Sequence, residues 1–161
     1  MILATYALWR RDVIRFYRQR SRVVGALGTP VVFWVLLGSG LGSSFSVGSL
    51  GVPTGGYLEY FYPGTLALIV LFTAIFSTIS VIEDRHEGFL QGVMVAPVPR
   101  FAIVLGKLLG GTTMALLQAA LFLALAPLAN AHVSLSSLPL LAVVLATLAF
   151  ALTGLGFVLA W

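Results

Sequence analysis

Glu83, Asp84, Arg85, His86 and Glu87 form one unbroken run of ionisable side chains in a sequence where only 9% of residues are charged. Such a run could ligate a metal, polarise a substrate or dock a partner, and each of these chemistries has a spacing that can be checked. His86 and Glu87 open like an H-E-x-x-H zinc motif, but the fifth position is Leu90, so the second imidazole is missing. Gly106 and Lys107 look like the end of a phosphate loop. The loop's first glycine would fall at Phe101 and its Ser or Thr at Leu108, so no nucleotide site is expected. No Ser/His/Asp grouping supports a nucleophile, and His132 stands apart from any partner in the sequence. With no cysteine, thiolate ligands and thiol nucleophiles are excluded. The chemistry that remains is non-covalent, in a chain expected to be non-catalytic and to carry no cofactor of its own.

The elements that position this run follow from composition. Of 161 residues, 60% are hydrophobic, and the mean hydropathy is +1.06; soluble domains have roughly a quarter of their residues charged. The fold class is therefore an all-α polytopic membrane protein. A net charge of +4 could suggest nucleic acid, but six of the nine basic residues lie in the first 22 positions and no basic patch with interleaved aromatics recurs, so no nucleic-acid partner is expected. The basic start is too long for a signal peptide, and no A-x-A-like cleavage site follows it.

About 20 apolar residues at 1.5 Å rise cross a hydrocarbon core of roughly 30 Å. Hydropathy marks spans at 23–42, 63–82, 102–126 and 138–160. Cytoplasmic flanks retain Lys and Arg. Residues 1–22 hold Arg10, Arg11, Arg15, Arg18, Arg20 and Arg22, and residues 83–107 hold Arg85, Arg100 and Lys107; the 43–62 and 127–137 segments hold none. The N-terminus and the segment after the second span thus read as cytoplasmic.

Within the N-terminal segment, 2–20, Ile2, Tyr6, Trp9, Val13 and Phe16 share one helical stripe, with Arg11, Arg15, Arg18 and Arg22 on the opposite side. This predicts a helix lying in the membrane interface, its aromatics at headgroup depth and its arginines toward the cytoplasm and anionic lipid. Arg20 falls on the apolar side and would snorkel. Between the second and third spans about eighteen residues stand where a few would suffice. Phe89, Leu90, Val93 and Met94 at helical spacing predict a short amphipathic helix there, ended by Pro97 and Pro99. Its apolar side chains either fold back on the headgroups or are covered by a cytoplasmic protein. In the third span, Gly106 and Gly110 form a small-xxx-small pair. Gln118, with Thr112 and Thr113 toward the inner side, predicts hydrogen bonding between helices or the lining of a substrate path.

Residues 84–125, "DRHEGFLQGVMVAPVPRFAIVLGKLLGGTTMALLQAALFLAL", resemble the corresponding segment of ABC-2 type permeases, the membrane subunits of a class of ABC exporters. The matching positions are Asp84, Arg85, Gly88, Phe89 and Leu90, then Val95, Ala96, Pro97, Val98 and Arg100, then Ile103 through Gly111; His86 and Glu87 depart from the family's usual acidic-then-aromatic pair. The resemblance implies a single transmembrane domain over 1–161, with 84–100 as the coupling helix that docks on a separate cytoplasmic ATP-binding subunit. In that reading Asp84, Arg85 and Glu87 are polar contacts, Phe89, Leu90 and Met94 are knobs, and Pro97, Pro99 and Arg100 set the return. Trp9, Arg11, Arg15, Phe16 and Arg18 match the family's interfacial helix. Family members usually have six spans, so the last two are expected to be missing here. The resemblance further implies a second permease copy, identical or related, Mg-ATP on the partner rather than on this chain, a prokaryotic plasma membrane, and export of a hydrophobic or amphipathic solute that is drug-like, a lipid or glycan-linked.

Two rivals remain at this point: a non-transporting anchor that recruits a cytoplasmic partner, and a secondary transporter. The second needs an ionisable group at membrane depth. None is expected inside the spans, because Lys107 lies one turn from the third span's inner end, where its stem can snorkel. Since the chain has no cysteine, a His86→Cys variant carries a single thiol; it should react with a membrane-impermeant maleimide only in inside-out vesicles, and reaction in right-side-out vesicles would overturn the topology.

Overall fold

The computed structural model describes residues 2–41, 57–95, 98–129 and 136–161. Helix α1 spans Ile2–Arg18, α2 Arg20–Leu41, α3 Tyr57–His86, α4 Phe89–Val95, α5 Arg100–Leu123 and α6 Leu138–Ala160, with a 3₁₀ turn at Ala126–Ala129; no strand occurs among the described residues. Among the described residues, four stretches are long and apolar enough to cross a membrane: Arg20–Leu37, Tyr60–His86, Arg100–Leu123 and Leu138–Ala160. The chain is an all-α, multi-pass membrane protein. The expected outer connections lie largely outside the described residues, as does Pro97.

Helix bounds differ from hydropathy bounds because backbone hydrogen bonding continues where apolarity stops. α1 ends at Arg18 and α2 begins at Arg20, with Gln19 as the joint; its N–H reaches the carbonyls of Arg15 and Phe16 at 3.2 and 3.1 Å. α3 has 30 residues, about 45 Å at 1.5 Å each, so it outruns the hydrocarbon core and carries the ionisable run as its own last turns. It stops at Gly88, whose φ of +73° is left-handed. Only glycine takes that conformation without strain, and it turns the chain directly into α4.

An apolar and aromatic cluster fills one half of the bundle. Tyr62 and Phe122 stack at 4.8 Å, Trp34 meets Phe122 edge-on at 5.4 Å, and the Tyr62 hydroxyl donates to the Phe122 carbonyl at 3.0 Å. Leu66, Ile69, Val70, Ala115, Ala119 and Leu145 complete it. Facing outward are Leu68, Leu71, Ile75, Ile79 and Ile82, one stripe of α3 on the side opposite Thr73, Ser77, Ser80 and Asp84.

Helix-to-helix distance is set by small residues. In lipid, close backbone approach is a main source of helix association, because burial of apolar surface gains little there. Gly106 and Gly110 of α5 receive α1: a Cβ on Gly106 would lie 2.9 Å from the Leu8 Cβ and 3.1 Å from the Thr5 carbonyl oxygen, and one on Gly110 3.3 Å from the Asp12 Cβ. Gly111 faces Ser77 and Thr153, and Gly156 faces Thr78. Neither the Leu8 Cβ nor a carbonyl can swing aside, so Gly106→Ala should lower stability by about 1–3 kcal/mol through overpacking. Gly64→Ala, with nothing within 4 Å of its Cβ, should be neutral or stabilising by up to about 1 kcal/mol. Thermal unfolding of both variants in one detergent checks the contrast.

Candidate coupling site

Asp84 is the centre of the site. It is fully buried, and its carboxylate takes both arms of the Arg11 guanidinium, at 2.8 and 3.1 Å, together with Arg15 Nη1 and Lys107 Nζ. Lys107 also reaches the Asp12 carboxylate at 3.0 Å. Around this core, Arg15 Nη2 pairs with Glu83 at 3.3 Å and Glu87 at 3.1 Å, and Arg22 pairs with Glu83. Four cations (Arg11, Arg15, Arg22, Lys107) thus meet four carboxylates (Asp12, Glu83, Asp84, Glu87), and the cluster carries no net charge. It joins α1, α2, α3 and α5 at one end of the bundle. The fork from Arg11 is the geometry that binds carboxylate best, with two parallel charge-assisted bonds.

Helix periodicity explains why these groups converge. Thr5, Leu8, Asp12 and Arg15 follow one another by three or four residues and so share the α1 face turned to α5. Lys107 follows Gly106, which brings α1 close enough for the ammonium to sit between Asp12 and Asp84. Burial pushes the Asp12 carboxyl up from its ordinary range while Lys107 pulls it back, and the hydrogen bond to Asp84 raises Arg11 further.

Helix α4 is tied to the same centre. The Phe89 ring lies under the Arg11 guanidinium, 3.5 Å from ring centroid to the guanidinium carbon, a cation–π contact that holds the fork from below. Phe89 and Val93 also pack with Leu8, Ile103 and Val98.

Several expectations are corrected here. Lys107 does not snorkel; it is 3% exposed and points inward, because two carboxylates supply a nearer counter-charge than the headgroups. The spans are therefore not free of buried ionisable groups. Asp84 is no surface contact but the internal acceptor of three cations. Arg11 and Arg15 turn from headgroups to carboxylates, whereas Arg18 stays exposed. Arg20, read as snorkelling within α1, instead opens α2 and is exposed. Phe89 is half-buried rather than an outward knob, since its ring covers Arg11. Of the proposed interfacial stripe, Trp9 is half-buried and donates its indole N–H to the Thr113 hydroxyl at 3.0 Å, and Phe16 is half-buried beside Arg15 and Gln19, while Ile2 and Tyr6 face outward.

The remaining predicted residues divide cleanly. Arg85, His86, Glu87, Pro99 and Arg100 are exposed around α4, as are Gln91, Gly92 and Val95, the last at 88%. Arg85 Nη1 donates to the Trp161 carbonyl at 2.7 Å, linking the α3 end to α6. Gly106 and Gly110 lie against α1, and Gln118 Oε1 accepts from the Thr73 hydroxyl. Helix α4 includes Leu90 and Met94. Asp12 went unnoticed in the sequence; its signal was that it is the only acid among the first 22 residues, four beyond Leu8 and three before Arg15.

A family model for ABC-2 type transporters matches residues 4–161. The chain belongs to the ABC-2 type transporter family. It is also 29% identical over 101 residues to a Cyanophora paradoxa protein provisionally named transport permease ycf38; the match covers 62% of this chain and 34% of that relative, so the chain spans about a third of the relative's length. No solved structure matches it. In this ABC-2 chain the ionic cluster stands where α3 turns into α4, at the run of residues that carries the family resemblance.

Removing one partner from a buried ion cluster costs about 3–5 kcal/mol. Asp84→Asn should fall in that range, since it strips the shared acceptor from three cations. Lys107→Met should cost less, because the Asp12 carboxyl left behind is already pushed toward its neutral form and can take up a proton. Equal losses in thermal unfolding would contradict this ordering.

Proposed function

We propose that the chain is the permease portion of an ATP-driven exporter, which moves a hydrophobic or amphipathic solute, such as a drug-like compound, a lipid or a glycan-linked lipid, out of a prokaryotic cytoplasm. A separate cytoplasmic subunit binds and hydrolyses Mg-ATP, and a second permease copy completes the path. The N-terminus and α4 face the cytoplasm. Family membership supports this reading, and one observation carries it: Arg11 is held between the Phe89 ring of α4 and the Asp84 carboxylate of α3, while α1, its own helix, is packed on α5.

The chemistry of that arrangement is mechanical. A partner that grips the exposed side of α4, at Gln91, Val95 and the neighbouring Arg85, His86 and Glu87, pushes a helix whose other side is stacked on Arg11. Because Arg11 forks to Asp84, and Asp84 is shared with Arg15 and Lys107, α4 cannot shift without moving α1, α3 and α5 together. Bringing nucleotide-driven closure to α4 then tilts the spans and alternates access. The rival ion-driven reading loses support from charge balance rather than from an absence of ionisable groups. Each carboxylate of the cluster already faces an Arg or Lys, so a sodium ion would have to displace a bonded cation to bind there.

The exposed and buried sides of α4 separate binding from transmission. Arg11→Lys keeps the charge but loses the fork and the planar stack; it should leave co-purification with a co-expressed ATP-binding subunit unchanged while lowering ATP-dependent uptake of an amphipathic dye into inside-out vesicles by roughly tenfold. Gln91→Glu paired with Val95→Asp should weaken co-purification itself. Dye uptake that runs on an ion gradient without nucleotide would refute the proposal.

A further inference from the structure

The face of α3 that leads to Asp84 is polar for three turns: Thr73, Ser77, Ser80 and Asp84 follow at spacings of four, three and four. Opposite, α5 presents Lys107, Gly111, Met114 and Gln118 at spacings of four, three and four. The two stripes are pinned at both ends, by Asp84 with Lys107 and by the Thr73 hydroxyl donating to Gln118 Oε1. Eleven residues at 1.5 Å place these pins about 16 Å apart along the helices.

Between the pins the seam does not close. A cavity with about 20 Å³ open to the centre of a water molecule lies there, with Asp12, Gln19, Arg22, Ser77 and Ser80 among its walls. Gly110 and Gly111 line it on the α5 side, where a Cβ on Gly111 would collide with the Ser77 hydroxyl oxygen at 2.6 Å. Gln19 Oε1, at the cavity, is buried without a hydrogen-bond partner, and so are Gln118 Nε2 and Thr153 Oγ1. An unmade hydrogen bond at a buried polar atom costs about 1–3 kcal/mol, so such atoms call for a small partner.

We infer that this cavity is a hydration site, holding ordered water against Gln19, Ser77 and Ser80 beside the ionic cluster. Roughly 10–15 Å³ seats one water, which the cavity exceeds, and Gln19, Ser77 and Ser80 in its walls are the polar neighbours such a water needs. The ligand it suits is neutral, because the charged walls Asp12 and Arg22 are already engaged with Lys107 and Glu83. Water there completes Gln19 Oε1 and gives Arg15 and Arg22 a spare acceptor when their carboxylates shift. The inference stands whether or not an ATP-binding partner exists.

Water-edited solid-state NMR of the full chain in acyl-deuterated bilayers reads it directly. In wild type, Ser77 and Ser80 should receive water magnetisation as early as exposed Arg18 does, and well before Thr147, which faces outward within α6. Ser77→Val, which fills the cavity and removes a hydroxyl, should abolish the early transfer at Ser80 while leaving Thr147 unchanged. Early transfer at Ser80 that survives this substitution, or wild-type serines as slow as Thr147, would overturn the site.

Discussion

A carboxylate buried at the edge of a bilayer cannot be left alone, and the structure is organised around that constraint. An isolated charge in a medium of low dielectric is so costly that it must be neutralised, paired or moved to water. Asp84 is paired three times over, by side chains from α1 and α5. Meeting this one requirement fixes the rotation of α1, the depth of Lys107 and the point at which α3 stops behaving as a span. Four of the chain's five acids join the same cluster, so electrostatics, not apolar contact, decides how the N-terminal helix sits.

Packing makes the pairing possible. Lysine and arginine side chains are long, but a cluster this dense needs the backbones of α1 and α5 near one another, and Gly106 and Gly110 supply that approach directly against Leu8 and Asp12. The apolar half of the bundle works differently. Trp34, Tyr62 and Phe122 interlock with branched aliphatics, and the single hydroxyl among them is satisfied by a backbone carbonyl. One end of the bundle is thus held by shape, the other by charge. An apolar jigsaw resists deformation through its packing, whereas a buried ion cluster resists it through the cost of leaving a charge unpaired.

How far this was legible in the sequence depends on the physics behind each element. The all-α membrane fold was legible because hydropathy measures the solvent itself, and α6 runs over the interval 138–160 that its apolar run marks. The family was legible from the residues after Asp84. Far less could be read of α1. Its arginine stripe fits anionic headgroups as well as it fits buried carboxylates, and a helical wheel has no term for what another helix brings. Lys107 was misread for the same reason: hydropathy assigns a lysine its cost but not its counter-ion, and Asp12 and Asp84 are separated from it by 95 and 23 residues. Phe89 looked like a knob because an aromatic on a short amphipathic helix is silent about the cation above it.

Neutrality is what reconciles a buried cluster with a moving part. Were the centre one charge out of balance, every rearrangement would drag that charge through a site poor in water, and the helices would be frozen or the site hydrated wholesale. With four charges of each sign, Arg15 can trade Asp84 for Glu83 or Glu87 without altering the total, since it already touches all three. The three are not equivalent, since Asp84 is fully buried while Glu83 is 37% and Glu87 58% exposed, so the exchange shifts Arg15 toward water. The end of the bundle that carries α4 is therefore tied by charge, with the alternative partners of Arg15 on the exposed side of the cluster.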